Sequence, residues 1–227
     1  PQALRALYER LNRFKRFGFL VSDANQNVAM QIIEHVEKGN HVVLEFGRYG
    51  DDLAAYILVS NLLSRRVHRR YVEMKEQAVG SGSGEPRPVM IVLEEAHKFL
   101  NPGIANQTIF GTIARELRKY NVTIMVIDQR PSAIDNEVMS QLGTRMTCLL
   151  DNERDVDSVL SGVSGSRQLR TVLARMEPKQ QALVFGHAVP MPIVLKTRTY
   201  GTPEFYESIN KSPNPSKDLQ TEIDELF

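Results

Sequence analysis

Two adjacent carboxylates follow a continuous apolar run near the middle of the chain. Residues 89–93 are all apolar, and Glu94 and Glu95 come directly after them. Such a run is typical of a strand buried on both faces of a parallel sheet, and ligands of open α/β sheets bind beyond the carboxyl ends of the strands. Two neighbouring acids repel each other there unless a cation compensates their charge. The sequence therefore points to a cation site at this strand end.

The Mg²⁺ ion of a bound nucleotide is a cation of this kind, because it takes few protein ligands and keeps several waters. Glu94 could then support the magnesium shell, and Glu95 could orient or deprotonate an attacking water. The alternative is that both acids only cap the helix predicted after them.

A second apolar run, residues 122–127, also ends in polar groups, with Asp128 and Gln129 directly after it. If the two strands are neighbours, Gln129 lies beside Glu95. An amide there could hydrogen-bond a γ-phosphate oxygen or the attacking water, which is the role of a sensor. The alternative is a simple turn, because Pro131 ends the strand and Asp128 could cap locally.

Basic residues, including Arg115 and Arg118, lie near the C-terminal end of the helix predicted between these two strands. The helix dipole by itself favours cations at this end. Ring-shaped NTPases instead use an arginine that reaches into a neighbouring subunit to stabilise the transferring phosphate. The residues alone leave both interpretations open.

The elements that must position these residues alternate along the chain. We predict strands at residues 41–47, 89–93, 122–127, 145–150, 181–185 and 193–197. We predict helices at residues 4–17, 27–38, 51–78, 107–120, 136–142, 155–161 and 167–176. This alternation predicts an α/β fold with a mostly parallel sheet and helices on both faces.

Composition along the chain predicts three regions. Residues 1–20 form an amphipathic helix, residues 21–200 form the core with a flexible Gly/Ser/Pro loop at 79–88, and residues 201–227 form an extended polar tail. The densest basic cluster is Arg65, Arg66, Arg69 and Arg70. It is either a solvated helix face or a phosphate contact, and we assign no DNA-binding residue from it.

The composition excludes several classes of protein. Lys and Arg number 28 against 27 Asp and Glu, a net charge of +1 over 227 residues, so nucleic-acid binding would need local patches. The single cysteine, Cys148, excludes an intrachain disulfide framework and fits a reducing cytoplasm. No apolar run approaches the ~20 residues of a membrane span, so no membrane contact is expected.

Four motifs, taken in order, resemble the HerA–FtsK superfamily and most closely its HerA-type hexameric DNA translocases. They are Leu-Glu-Glu-Ala-His at 93–97, Ala-Arg-Glu-Leu-Arg-Lys-Tyr at 114–120, Asp-Gln-Arg-Pro at 128–131 and Leu-Gly-Thr-Arg at 142–145. The resemblance extends over roughly residues 25–200. It implies a RecA-like P-loop NTPase fold of the ASCE type, ATP and Mg²⁺ as cofactors, and a hexameric ring that moves double-stranded DNA.

The resemblance also implies roles for individual residues. Glu94 occupies the Walker B position and would assist Mg²⁺, and Glu95 would be the glutamate that polarises water. Gln129 would be the sensor. Arg118 would be the arginine finger that acts on a neighbouring subunit, with Arg115 as the alternate nucleotide-contacting arginine. Such proteins work with nucleases or other effectors in DNA end processing and antiphage defence.

Two departures from the family pattern limit this assignment. Leu117 stands where the family has glycine, and no Gly-x-x-x-x-Gly-Lys-Ser/Thr segment occurs in the 227 residues. The family's phosphate-binding loop lies upstream of the matched segment, on a mid-sheet strand. We therefore expect the C-terminal part of a longer ATPase, with an unpaired strand edge and little activity on its own. The alternatives are a non-hydrolysing interaction module of the same fold and a conjugation- or secretion-type ATPase of the superfamily.

Overall fold

A computed structural model of the protein describes residues 2–21, 28–50, 52–82, 84–116 and 119–210. The chain divides into two compact units, Pro1–Leu142 and Gly143–Phe227. Each unit has its own cluster of buried apolar side chains. The first unit contains both predicted acids and Gln129.

Two parallel strands form the sheet of the first unit. Strand β1 spans Val89–Glu94, strand β2 spans Val122–Ile127, and they pair residue for residue with Val89 opposite Val122. Both strands confirm the sequence prediction. Within the described residues each pairs only with the other, so each has one unpaired edge. This agrees with the unpaired edge expected from the sequence.

The two faces of this sheet differ in burial, because side chains alternate between faces along a strand. Leu93 and Val122 lie on the inner face and are almost fully buried. The outer face is apolar but open, and its large side chains, each 42–58% exposed, are Met90, Val92, Met125 and Ile127. The expected cover of helices on both faces is therefore absent from the described residues.

Among the described residues, three α-helices precede β1. Helix α1 spans Gln2–Asn12 and is followed by a 3₁₀ turn, α2 spans Val28–Glu37, and α3 spans Leu53–Ser81. These confirm the helices predicted at 4–17, 27–38 and 51–78, with shifted ends. Asp52 sets the start of α3, because its Oδ1 accepts the backbone N–H of Ala54 at 3.0 Å and of Ala55 at 3.1 Å. No described residue of α1 is buried.

Two predictions in this region are wrong. Residues 41–46 form no strand, and Gly47–Tyr49 is a 3₁₀ turn. A strand needs a partner for its backbone groups, and this run lies exposed, with Val43 91% accessible. The loop predicted at 79–88 begins later, because α3 continues to Ser81 and is capped by Gly82, whose φ of 68° is the left-handed conformation of a C-terminal cap.

Within the described residues of the first unit, short helices lie between the two strands in the chain and after the second one. Helix α4 spans His97–Leu100, α5 spans Ile109–Glu116 and α6 spans Asn136–Gln141. The last two confirm the helices predicted at 107–120 and 136–142. Phe99 of α4 packs against aromatic rings of two other helices. Its ring centroid lies 5.0 Å from that of Tyr56 in α3, which stacks on it, and 5.2 Å from that of Phe110 in α5, which meets it edge-on.

The second unit contains an antiparallel sheet. Its elements in order are β3 (Thr144–Thr147), α7 (Glu153–Leu160), α8 (Ser166–Leu173), β4 (Gln181–Gly186), β5 (Ile193–Lys196) and α9 (Pro203–Asn210). The strand order is β3-β4-β5, and both pairings are antiparallel. The core of this unit joins both α7 and α8 to β4.

The prediction of a mostly parallel sheet is therefore wrong for these three strands. One crossover helix carries the chain back to the start of the first strand, so that the next strand runs parallel to it. Here two consecutive helices, α7 and α8, separate β3 from β4. The chain therefore re-enters the sheet at the end where β3 left it, and β4 runs antiparallel to β3. The short link between β4 and β5 leaves no room for a crossover helix. The strand predicted at 145–150 corresponds to β3, which is shorter and more exposed than expected, with Met146 62% exposed.

Three further predictions concern helices and the tail of this unit. The helices predicted at 155–161 and 167–176 are confirmed as α7 and α8. The tail predicted to be extended from residue 201 is helical over Pro203–Asn210, and its remainder lies outside the described residues.

Arg145, from the fourth motif, has a structural position in the second unit. Its Nη1 donates to the carbonyl oxygen of Val159 at 2.5 Å and to that of Ser161 at 2.7 Å. These carbonyls lie at the end of α7, where the helix itself supplies no donor. Burial lowers the pKa of the Arg145 guanidinium.

Candidate active site

The carboxyl ends of β1 and β2 bring together two of the predicted catalytic side chains. The amide Nε2 of Gln129 lies 3.4 Å from Oε1 of Glu95, although the residues are 34 positions apart in sequence. The parallel, in-register pairing of the strands produces this proximity, because both residues follow the last rung of the ladder. The structure thus confirms the expected neighbourhood of Glu95 and Gln129.

Glu94 and Glu95 lie in different environments although they are adjacent. Glu94 is the last residue of β1 and is exposed, on the same face as Val92. Glu95 lies in the turn after the strand, where its φ is 49°. Residues other than glycine rarely adopt this left-handed conformation, and such strain clusters at functional sites. The turn directs the two carboxylates differently, which suits two separate roles.

Asp128 is the most buried acid at this end of the sheet, with a side chain only 3% exposed. Its Oδ2 accepts the backbone N–H of His97 at 2.7 Å and faces the Nδ1 of that ring at 2.9 Å. Its Oδ1 accepts the backbone N–H of Arg130 at 2.7 Å. Burial alone would raise the pKa of Asp128, but these hydrogen bonds outweigh it and leave the pKa below its ordinary value.

The oxygen atoms at this site suit a magnesium ion bound to a nucleotide. Within the described residues no three acidic, histidine or cysteine side chains cluster as a metal cage. Mg²⁺ needs no such cage, because it commonly takes one or two carboxylates and completes its shell with phosphate oxygens and water. Glu94 is an exposed carboxylate of this kind, with Glu95 next to it in the chain.

The predicted arginines are described incompletely. Arg115 lies in α5, the helix that leads towards β2. Arg118 lies outside the described residues. In the basic cluster of α3, Arg70 pairs with Glu37 at 2.7 Å, and this hydrogen bond raises its pKa.

Sequence reasoning missed the link between His97 and Asp128. It treated Asp128 as a local cap and gave His97 no role of its own. The usable signal was the position of Asp128, a polar residue between the apolar end of β2 and Gln129. Once β1 and β2 are paired, that position lies opposite the turn that contains Glu95.

Other features of the described residues lie apart from this site. An open cavity in the second unit lies between α7 and α8, and none of the predicted site residues lines it. Among the described helices, none combines the length and apolar character that crossing a bilayer requires.

The chain is similar in sequence to DNA double-strand break repair helicases named HerA. The DNA double-strand break repair helicase HerA of Pyrococcus furiosus is 31% identical over 136 residues, which cover 59% of this chain and 24% of that protein. The HerA helicase of Saccharolobus solfataricus is 28% identical over 191 residues, which cover 83% of this chain and 37% of that protein. The chain thus spans about a quarter to just over a third of the length of these relatives. These similarities confirm the resemblance that the motifs predicted.

No family model matches the chain. Among solved structures, the genome packaging NTPase B204 from Sulfolobus turreted icosahedral virus 2, in complex with sulfate, has a TM-score of 0.48 at 10% identity and covers 82% of this chain and 76% of that one.

Proposed function

We propose, from the similarity of this chain to the HerA helicases, that the full-length protein is an ATP-driven DNA translocase or helicase. The observation that carries the proposal is the proximity of Glu95 and Gln129 beyond two parallel strands. A carboxylate and an amide at that place suit a water molecule that attacks a phosphate. A RecA-like core around β1 and β2 is part of the same proposal.

Each side chain at the strand ends has a distinct task in this proposal. Glu94, exposed at the end of β1, supports the hydrated Mg²⁺ of the nucleotide. Magnesium, when bound, neutralises charge on the phosphate oxygens. Glu95 orients the water and accepts its proton, and Gln129 hydrogen-bonds either that water or a γ-phosphate oxygen. The amide thereby senses whether the γ-phosphate is present.

The remaining parts of the proposal concern the assembly. The protein works as a hexameric ring on double-stranded DNA, and Arg118 reaches the nucleotide of a neighbouring subunit, with Arg115 as the alternate. A nuclease or another effector enzyme is the expected partner in DNA end processing or defence. An arginine from a neighbouring subunit would stabilise the negative charge on the γ-phosphoryl group while water attacks it and its bond to the β-phosphate oxygen breaks, releasing ADP.

Substitution of Glu95 tests the proposal in the full-length protein. Glu95→Gln keeps the shape of the side chain but removes the base, so magnesium-dependent ATP hydrolysis should fall about 10²–10⁴-fold. Nucleotide affinity, measured by equilibrium binding, should stay nearly unchanged. Glu76→Gln is the matched control, because Glu76 is exposed on α3 and the same chemical change there should leave turnover intact.

Two outcomes would contradict the proposal. Full hydrolysis by Glu95→Gln would remove Glu95 from the mechanism. Nucleotide binding without any hydrolysis by the unsubstituted protein would favour a non-hydrolysing interaction module of the same fold.

A further inference from the structure

The buried carboxylate of Asp128 fastens the end of β2 to the turn that follows β1. Burial without hydrogen bonds would be costly for a charged group. Asp128 instead meets three donors, the backbone N–H groups of His97 and Arg130 and the ring of His97. An ionised carboxylate only accepts hydrogen bonds, so the hydrogen of this contact lies on Nδ1 of His97. The acid therefore holds both the backbone and the ring of His97.

The ring of His97 lies between two carboxylates. Its Nδ1 is 2.9 Å from Oδ2 of Asp128 and 3.7 Å from Oε2 of Glu95. The other oxygen of Glu95, Oε1, faces the amide of Gln129 at 3.4 Å. Each oxygen of the Glu95 carboxylate thus has a different neighbour, and this restricts the rotation of a side chain that is 45% exposed.

The backbone of the same turn is held by the end of β2. Glu95 has a φ of 49°, which costs free energy for any residue with a side chain. The next two backbone N–H groups donate hydrogen bonds to the end of β2 and the residue after it. The N–H of Ala96 donates to the carbonyl oxygen of Ile127 at 3.3 Å, and the N–H of His97 donates to the carboxylate of Asp128. These contacts offset the cost of the strained conformation and determine where Glu95 lies.

We propose that Asp128 and His97 are positioning residues for Glu95. Asp128 holds the turn and the His97 ring in place, and the ring limits the movement of one oxygen of the Glu95 carboxylate. The carboxylate therefore stays oriented towards the attacking water. This inference rests on the proposed function, because the alignment matters only if Glu95 acts on water. A role limited to capping α4 would give Asp128 the backbone contact alone and would leave the ring without influence on turnover.

Kinetics of the full-length protein test this proposal. Displacement of a catalytic group by about 1 Å can cost about 10²-fold in rate, so His97→Ala should lower kcat for ATP hydrolysis by between about 10-fold and 10²-fold. KM for ATP should change little, because in this proposal the ring acts on the position of Glu95 and has no part in nucleotide binding. His97→Asn should retain more activity than His97→Ala, since its amide N–H can donate near the place of Nδ1. His41→Ala, at an exposed position, is the matched control.

Two measurements separate positioning from loss of folded protein. The rate is expressed per nucleotide-binding site, so that misfolded molecules do not count. The double variant His97→Ala/Asp128→Asn should be no slower than the slower single variant, because residues that act as a unit are not additive. Multiplicative losses would contradict the proposal, and so would an unchanged kcat for His97→Ala or equal rates for His97→Ala and His97→Asn.

The Glu95→Gln variant distinguishes the two levels of failure. If it still hydrolyses ATP at the full rate, the proposed function and this inference both fail. If it is inactive while His97→Ala keeps the full kcat, the proposed function stands and only the positioning role is overturned.

Discussion

At the scale of single residues, Asp128 is the side chain whose ionisation is most clearly linked to the fold. Its hydrogen bonds to His97 and Arg130 exist only in the folded chain and hold its pKa below the ordinary value of 3.8. Between the lower pKa of the folded chain and the ordinary pKa, the unfolded chain therefore binds more protons at Asp128 than the folded chain does. The stabilisation that Asp128 contributes is present above its unfolded pKa and is lost as pH falls through the lower, folded pKa.

This linkage predicts a difference in acid sensitivity. The free energy of unfolding should decline as pH falls below about 5, and Asp128→Asn should reduce that decline because the variant has no proton to take up at this position. Urea unfolding at a series of pH values measures both slopes. Asp151→Asn, at an exposed position, should keep the slope of the unsubstituted chain. Identical slopes for the Asp128 variant and the unsubstituted chain would show that this linkage is absent.

At the scale of elements, α3 depends on the carboxylate at its start. Asp52 accepts two backbone N–H groups of the first turn and also pairs with Arg16 at 2.9 Å. The hydrogen bonds satisfy donors that the helix cannot, whereas a partly exposed ion pair contributes little. The cap therefore dominates the contribution of Asp52 to stability.

Two substitutions of Asp52 separate these contributions. Asp52→Ala should lower the free energy of unfolding by about 1 kcal/mol, since it removes the cap. Asp52→Asn should keep nearly the free energy of unfolding of the unsubstituted chain. Asparagine also caps a helix well, and the lost ion pair with Arg16 contributes little. Chemical denaturation measures both variants. Equal losses for alanine and asparagine would mean that the ion pair, and not the cap, is the stabilising contact.

The two faces of β1 predict unequal losses of stability when a side chain is truncated. Leu93→Ala should cost about 2–5 kcal/mol of stability, since it opens a cavity in the core, where Leu93 is 5% exposed. Val92→Ala should cost far less, because Val92 is 52% exposed on the outer face. Unfolding of the two variants measures the difference. A larger loss for Val92 would contradict the described orientation of the strand.

At the scale of the whole molecule, the proposed ring makes Arg118 act between subunits. An arginine supplied by a neighbour can contribute about 10³–10⁵ in rate. Arg118→Ala should therefore leave nucleotide affinity nearly intact and abolish hydrolysis. Mixing inactive Arg118→Ala subunits with inactive Glu95→Gln subunits should partly restore ATPase activity, because some interfaces then combine an intact glutamate with an intact arginine.

The mixing experiment has an internal control. If the arginine acts within its own subunit, every site in the mixture has one defect and no activity returns. Single-site hydrolysis is measured beside the steady state, because a ring that fires in strict sequence would mask rescue. The same mixture prepared with Arg115→Ala distinguishes the two arginines.

The sequence alone determined the elements of the first unit that depend on local pattern. Apolar runs predicted β1 and β2, and helical spacing predicted α3, because periodicity is a property of neighbouring residues. The selection of Glu94, Glu95 and Gln129 as candidate site residues also came from local pattern, because each lies one or two residues after a predicted strand.

Only the tertiary structure decided which strands have partners. Residues 41–46 are as apolar as a strand but form none, and β3, β4 and β5 pair antiparallel where alternation predicted a parallel sheet. Hydrogen bonds between strands join residues far apart in the chain, so local pattern does not determine them. The same long-range pairing brings Asp128 to His97 and Gln129 to Glu95, which is why the sequence predicted the second contact only conditionally and the first not at all.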